Sequence, residues 1–239
     1  MNNFGSLPTV TKNILLINII LFAATWLFEK QGIDLTNMLG LHYFAAPAFK
    51  PYQFVTYMFM HGDGRNFYES LMHIFFNMYA VFMFGSLLEN TWGPKRFLFY
   101  YVFTGLGAAA VQLLVYYFQL QPIMKETNEL LAQTKDYLLQ SQIIEQRNEY
   151  LNRLVVVGAS GSLFGLLIAF GMLFPNAEMM IMFIPIPIKA KYLVAGYGAI
   201  ELFSGINNSA ADNVAHFAHL GGMLFGFILL MIWKVRRTY

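Results

Sequence analysis

Long apolar runs alternate with short polar or glycine- and proline-containing breaks along this chain, at about 13–28, 71–88, 97–118, 154–174, 190–204 and 214–233. Most come close to the ~20 residues that a helix needs to cross the hydrocarbon of a bilayer. The pattern therefore predicts an all-α, polytopic membrane protein with six transmembrane helices, and an even number of crossings puts both termini on one side. The first run follows Lys12 as a signal peptide would follow its basic flank. No small-x-small cleavage site precedes "FEKQG" (28–32), so it is read as a retained anchor.

Two stretches between the runs are longer than turns. Residues 29–70 are too aromatic for a solvated linker and too broken by Pro47, Pro51 and glycines for a span, which predicts an outer loop lying partly in the membrane interface. Residues 122–153 are polar, but Ile123, Leu130, Tyr137, Ile144 and Leu151 recur every seven positions, with Leu131 and Leu138 beside two of them. That spacing predicts one amphipathic outer helix between spans three and four, resting on the membrane or on the protein; at barely four heptads it is short for a coiled-coil dimer.

Composition agrees with a bilayer as solvent: 57% of residues are hydrophobic, 17% aromatic and 12% charged, with mean hydropathy +0.50. A formal net charge of +2 gives no footprint for nucleic acid, and the absence of cysteine excludes disulfides, a thiol nucleophile and thiolate metal sites. Lys12, Lys95, Arg96, Lys189, Lys191, Lys234, Arg236 and Arg237 fall on the side of the termini, which the positive-inside rule makes cytoplasmic. Lys30, Lys50, Arg65, Lys125, Lys135, Arg147 and Arg153 are spread over the long loops of the other side.

Polar residues inside the spans are few, and each is costly in hydrocarbon unless it faces the bundle interior. His73 and Asn77 stand four apart, on one helical face. Span four opens with Gly158, Ala159, Ser160 and Gly161, and span six with "VAHFAHLGGMLFG", which puts His216 and His219 one turn apart ahead of Gly222 and Gly226. Taken singly, the glycines, Ser162 and Ala169 read as helix-packing positions, and a buried imidazole as a structural hydrogen-bonding group. Together they supply a hydroxyl nucleophile, an imidazole base, and a His and an Asn able to donate to an oxyanion, all toward the outer ends of their helices. Either His216 or His219 fits the role of base on spacing alone.

The pieces "HIFFN" (73–77), "GASG" (158–161) and "AHLGGMLFG" (218–226) resemble, in order and placement, the motifs of the rhomboid intramembrane serine proteases. The resemblance implies a single rhomboid-like domain over 1–239 with no further soluble domain at either end. It further implies Ser160 as nucleophile and His219, directly before the glycines, as general base, without a catalytic carboxylate. By the same resemblance His73, Asn77 and the Ser160 amide form the oxyanion site, Phe164 packs on the catalytic imidazole, and Gly158, Gly161, Gly222 and Gly226 support the site. No metal or cofactor is implied. The expected partners are single-span membrane protein substrates and the lipid bilayer, and the expected location is a bacterial plasma membrane.

His216 is read as supporting, His42 and His61 as outside the catalysis, and Asp212 as an ordinary solvated residue. "GINNSAADN" (205–213) has loop chemistry and is expected to cap the site. Three features depart from the family pattern: Tyr52-Gln53 stands where a Trp-Arg pair is frequent, the stretch between His61 and His73 is long, and so is the outer helix before span four. The alternatives are a catalytically inactive rhomboid-like binding protein and a small polytopic transporter, the latter suggested by Pro185 and Pro187. An α/β-hydrolase is excluded, because Ser162 follows Ser160 where that motif needs Gly and no strand pattern surrounds it.

Overall fold

The computed structural model describes residues 7–62, 66–181, 184–207 and 215–235. Arg65, Arg236, Arg237, Asp212 and residues 208–213 of the expected cap lie outside the described residues. The chain is mostly helical. In order the elements are α1 (Thr9–Glu29), α2 (Leu35–Leu39), β1 (Leu41–His42), α3 (Gln53–Thr56), α4 (Phe67–Ala80), α5 (Ser86–Trp92), α6 (Pro94–Gln133) and α7 (Tyr137–Arg153). They continue with β2 (Val155–Val156), α8 (Ser160–Leu173), β3 (Glu178–Ile181), β4 (Ile184–Lys189), α9 (Ala190–Asn207) and α10 (His216–Ile232). A π-helical turn, Val81–Gly85, joins α4 to α5.

Among the described residues, three helices are long and apolar enough to cross a membrane: Thr9–Glu29, the joined unit Phe67–Trp92, and Pro94–Gln133. Their ends carry local signals. The Asn66 side chain accepts from the amides of Tyr68 and Glu69 at the start of α4. Gly93, at φ +80°, makes the turn that Pro94 then leaves as the first residue of α6. The first turn of α1 begins after Pro8, which offers no side-chain cap. Buried Glu89 of α5 substitutes for one, accepting from Val10 N at 3.0 Å, Thr11 N at 2.7 Å and Thr11 Oγ1 at 2.8 Å.

The structure departs from the hydropathy pattern in three places. The fourth apolar run does not begin as helix: Val155 and Val156 pair antiparallel with His42 and Leu41, and α8 starts at Ser160. Successive β-branched valines favour extended backbone, and a hydropathy window cannot tell that from helix. The single outer helix predicted over 122–153 is two pieces. Here α6 continues unbroken through Pro122 to Gln133, and α7 begins after Asp136, which accepts from Leu138 N at 2.8 Å as its N-cap. Of the seven-residue stripe, Leu151 is buried while Ile123, Leu130, Tyr137 and Ile144 are exposed. Finally, Pro185 and Pro187 lie in β4, paired with β3, so they break no helix.

The loop after α1 is built around Gln53, which is fully buried. Its Oε1 accepts from Lys50 N and His42 N, and its Nε2 donates to the carbonyls of Met38 and Ala48. One amide thus satisfies four backbone groups of a segment that has no ladder of its own. The loop is then fastened to the residues before α8 by the β1–β2 pair and by Gly158 N donating to Tyr57 O at 2.9 Å.

The centre of the bundle is α6, α8 and α10 packed on small residues. A Cβ at Gly165 would strike Thr104, one at Gly105 would strike Met58 and Ser162, and one at Gly226 would meet the Tyr100 hydroxyl. Hydrogen bonds cross the same contacts: Tyr100 Oη donates to Gly165 O at 2.8 Å and Ser162 Oγ to Tyr101 O at 2.9 Å.

Candidate active site

Because β2 ends before it, Ser160 is the first residue of α8 rather than a mid-helix residue. Leu163 N is the first amide of this helix to find a carbonyl in its own turn, that of Ala159, which leaves the amides of Ser160 and its two neighbours without an intrahelical acceptor. The Ser160 hydroxyl points to α10, where it lies 2.8 Å from Nε2 of His219.

That distance depends on three neighbours. A Cβ at Gly222 would overlap the carbonyl oxygen of Gly161, so α8 and α10 touch backbone to backbone at the residue after Ser160 and about one turn after His219. Phe164, one turn after Ser160, stacks on the His219 ring with centroids 4.3 Å apart and planes 11° apart. His219 itself is buried at 8% exposure, so few alternative rotamers are open to it.

On the opposite side α4 brings His73 and Asn77. Gly158 has φ +122°, a conformation that favours glycine, and a Cβ there would sit 3.0 Å from His73 Nε2. The missing side chain therefore lets the His73 imidazole reach the turn that carries Ser160. Asn77 Nδ2 donates to His73 O at 2.8 Å; an amide nitrogen carries two protons, so one is left for a further acceptor. Behind His73 stands His61, ring centroids 5.0 Å apart, with its Nε2 facing the amide of Ala159 at 3.5 Å. Burial, with His73 beside it, pushes the His61 imidazole down to about 3, so it is neutral at ordinary pH.

The remaining polar group at the site comes from α9. Glu201 Oε2 lies 2.6 Å from Nδ1 of His216 and 2.9 Å from Nδ1 of His219. The first is a hydrogen bond that the His216 N–H donates to the carboxylate; the second is at bonding distance but off the ring N–H axis. The ligand atoms of Glu201, His216 and His219 lie within 4.8 Å of one another. A divalent cation could be held at that spacing, but only by displacing the close carboxylate–imidazole contacts. A crevice of about 1550 Å³ runs past these groups, lined among others by His73, Asn77, Ser160, His216 and His219.

Against known families, the profile described as Rhomboid domain matches residues 48–236. The chain belongs to the rhomboid family. It is 26% identical over 225 residues to Rhomboid-like protein 11, chloroplastic, of Arabidopsis thaliana, a match that covers 92% of this chain and 63% of that protein. The chain thus spans less than two thirds of the length of that curated relative. A chloroplastic relative lends no support to the bacterial origin expected from the sequence; a membrane protein of the rhomboid family is what stands.

In this rhomboid the structure brings together Ser160, His219, His73, Asn77 and Phe164, with Gly158, Gly161 and Gly222 at the contacts that let them meet. Gly226 lies deeper, against Tyr100 and Ile168, and serves the α8–α10 contact rather than the site itself. His42 is elsewhere, its Nε2 on the carbonyl of Asn37. Sequence reasoning missed Glu201. The signal was present: a single acidic residue inside the apolar run "LVAGYGAIELFSGI" (193–206) is expensive enough to expect a partner. Chemically, the set offers a hydroxyl with an imidazole acceptor, amide and imidazole donors across a cavity, and a carboxylate behind the imidazole.

Proposed function

We propose that this rhomboid is an intramembrane serine endopeptidase that cleaves transmembrane segments of single-span membrane proteins near the outer membrane face. The observation that carries the reading is the 2.8 Å separation of Ser160 Oγ and His219 Nε2. At that distance neutral His219 accepts the Ser160 proton as Oγ attacks the peptide carbonyl. The tetrahedral oxyanion takes hydrogen bonds from the Ser160 amide, Asn77 and His73. Collapse breaks the C–N bond, His219 returns the proton to the leaving amine, and water then hydrolyses the acyl-Ser160 ester by the same proton path.

The six crossings are α1, α4 with α5, α6, α8, α9 and α10, with both termini on the cytoplasmic side. Length supports a site sunk below the outer surface. The 14 residues of α8 extend roughly 21 Å at ~1.5 Å per residue, against a hydrocarbon core of ~30 Å. The extended residues before Ser160 make up the difference, and non-helical backbone at that depth is tolerated where it lines a wet cavity. The crevice supplies the water that hydrolysis consumes. A substrate helix must unwind there before its carbonyl is open to attack.

Treating the purified full-length protein with a fluorescent fluorophosphonate tests the reading. Covalent labelling that is lost in Ser160→Ala, together with cleavage of a single-span reporter in liposomes, is expected. A folded wild-type protein that neither labels nor cleaves would instead be a catalytically inactive rhomboid-like binding protein.

A further inference from the structure

We propose that Glu201 completes the site as a positioning residue, so that Ser160, His219 and Glu201 form a Ser-His-Glu triad assembled from α8, α10 and α9. The inference rests on the protease reading and deepens it. On the far side of the His219 ring from Ser160, a carboxylate oxygen of Glu201 stands 2.9 Å from Nδ1. Glu201 is the only acidic residue in α8, α9 and α10, it is buried at 8% exposure, and it is placed by packing. Gly205, one turn along α9, has no side chain where a Cβ would come within 3.3 Å of Phe217 and the Cβ of His216, which lets α9 close onto the start of α10.

The chemistry follows from what each atom can do. A neutral imidazole carries one proton, on Nδ1 or on Nε2, and only the Nδ1–H form leaves Nε2 free to accept from Ser160. An ionised carboxylate only accepts, so at Nδ1 it selects that form. When attack converts His219 to imidazolium, the same buried carboxylate stands beside it as a counter-charge. His216 explains why a carboxylate is tolerated at this depth: its Nδ1–H bond of 2.6 Å satisfies and fixes Oε2. His219 Nδ1 approaches that oxygen off the N–H axis, and catalytic hydrogen bonds commonly align when substrate is bound.

The test uses full-length protein and three readouts: the second-order rate of fluorophosphonate labelling, kcat and KM for a single-span reporter in liposomes, and the 15N spectrum of His219. Glu201→Leu removes the acceptor at similar volume. Expected are losses in labelling rate and kcat of about 100-fold or more, the scale on which triad carboxylates act, with KM within about 3-fold. The Nδ1–H signature of His219 disappears, and Glu201→Gln, whose amide oxygen still accepts, recovers part of both rates. A purely structural Glu201 would lower the melting temperature and leave rate and tautomer of the surviving protein unchanged, and that result overturns the proposal. Should Glu201→Leu not fold, wild-type kcat in Glu201→Gln with an unchanged His219 spectrum overturns it equally. Absence of any labelling in the wild type sinks the protease reading instead. The tautomer shift in Ser160→Ala,Glu201→Leu against Ser160→Ala then still decides whether Glu201 sets the state of His219.

Discussion

Gly222 of α10 rests on the carbonyl oxygen of Gly161 in α8 with no room for a methyl group between them. This contact, next to Ser160 on one helix and three residues after His219 on the other, sets the spacing across which Ser160 and His219 meet at 2.8 Å. Gly222→Ala must push the helices apart, because the obstructing atom is backbone and cannot rotate away. The expected cost is about 1–3 kcal/mol of stability, typical of overpacking, with a fall in fluorophosphonate labelling of at least about 10-fold. Gly196→Ala on α9, where nothing lies within 4 Å of the added atom, should change neither. Equal labelling of the two variants would mean that the α8–α10 contact does not hold the pair.

Asn77 has one amide proton committed to His73 O and borders the crevice beside Ser160. If its other proton serves the oxyanion, the bond is made only as charge develops, so kcat suffers and substrate affinity does not. Asn77→Ala should therefore lower kcat by about 10-fold to 1000-fold, the range for one donor. Initial-rate kinetics on the liposome reporter separate the terms, and a change confined to KM would assign Asn77 to substrate binding.

What was legible in the sequence divides along physical lines. Runs such as 13–28 announce themselves because hydropathy integrates over a whole helix, and α1 is there at Thr9–Glu29. The start of α8 was not legible, since Val155 and Val156 are as apolar in a strand as in a helix and only their partners Leu41 and His42, more than a hundred residues away, decide between the two. The split between α6 and α7 hid for the opposite reason. A heptad count steps over Thr134, Lys135 and Asp136 without registering that Asp136 is an N-cap. At the site, spacing placed His73 with Asn77 and His216 with His219, but could not choose between the latter two; the family motif chose His219, and the geometry puts that ring, not His216, on Ser160. Glu201 escaped because the motifs did not include it, although its cost in an apolar helix should have prompted a search for its partner.

His61 supplies a pH signature. Its imidazole is buried between the loop and α4, and its folded value is lowered from the ordinary 6.5 to about 3 by burial and by the neighbouring His73. The unfolded chain takes up a proton near 6.5 and the folded one does not until about 3. The stability contributed by the neutral ring is thus complete above pH 6.5 and declines as pH falls through that window. Melting followed by tryptophan fluorescence between pH 7.5 and 4.5, values on the order of those bracketing an ordinary imidazole titration, should show a steeper acid loss in the wild type than in His61→Phe. Parallel curves would place the protonation elsewhere.

The two imidazoles of α10 provide the sharpest separation. His219 holds Ser160 through Nε2 and is stacked by Phe164. His216 faces Glu201 through Nδ1, with its ring centroid 6.4 Å from that of His219 and its plane at 89° to it. His219→Ala should therefore remove labelling and cleavage while the protein still accumulates in the membrane, as should Ser160→Ala for cleavage. His216→Ala removes the hydrogen bond that His216 donates to Glu201 and leaves the Ser160–His219 bond in place, so labelling and proteolysis should remain measurable. Its expected effect is a lower melting temperature, of a size set by one charged hydrogen bond of about 1.5–3 kcal/mol, and a fall in rate of no more than about 10-fold, since the carboxylate stays beside His219. The reverse ranking, with His219→Ala labelled and active and His216→Ala folded but silent, would show that proton transfer from Ser160 runs to the other ring.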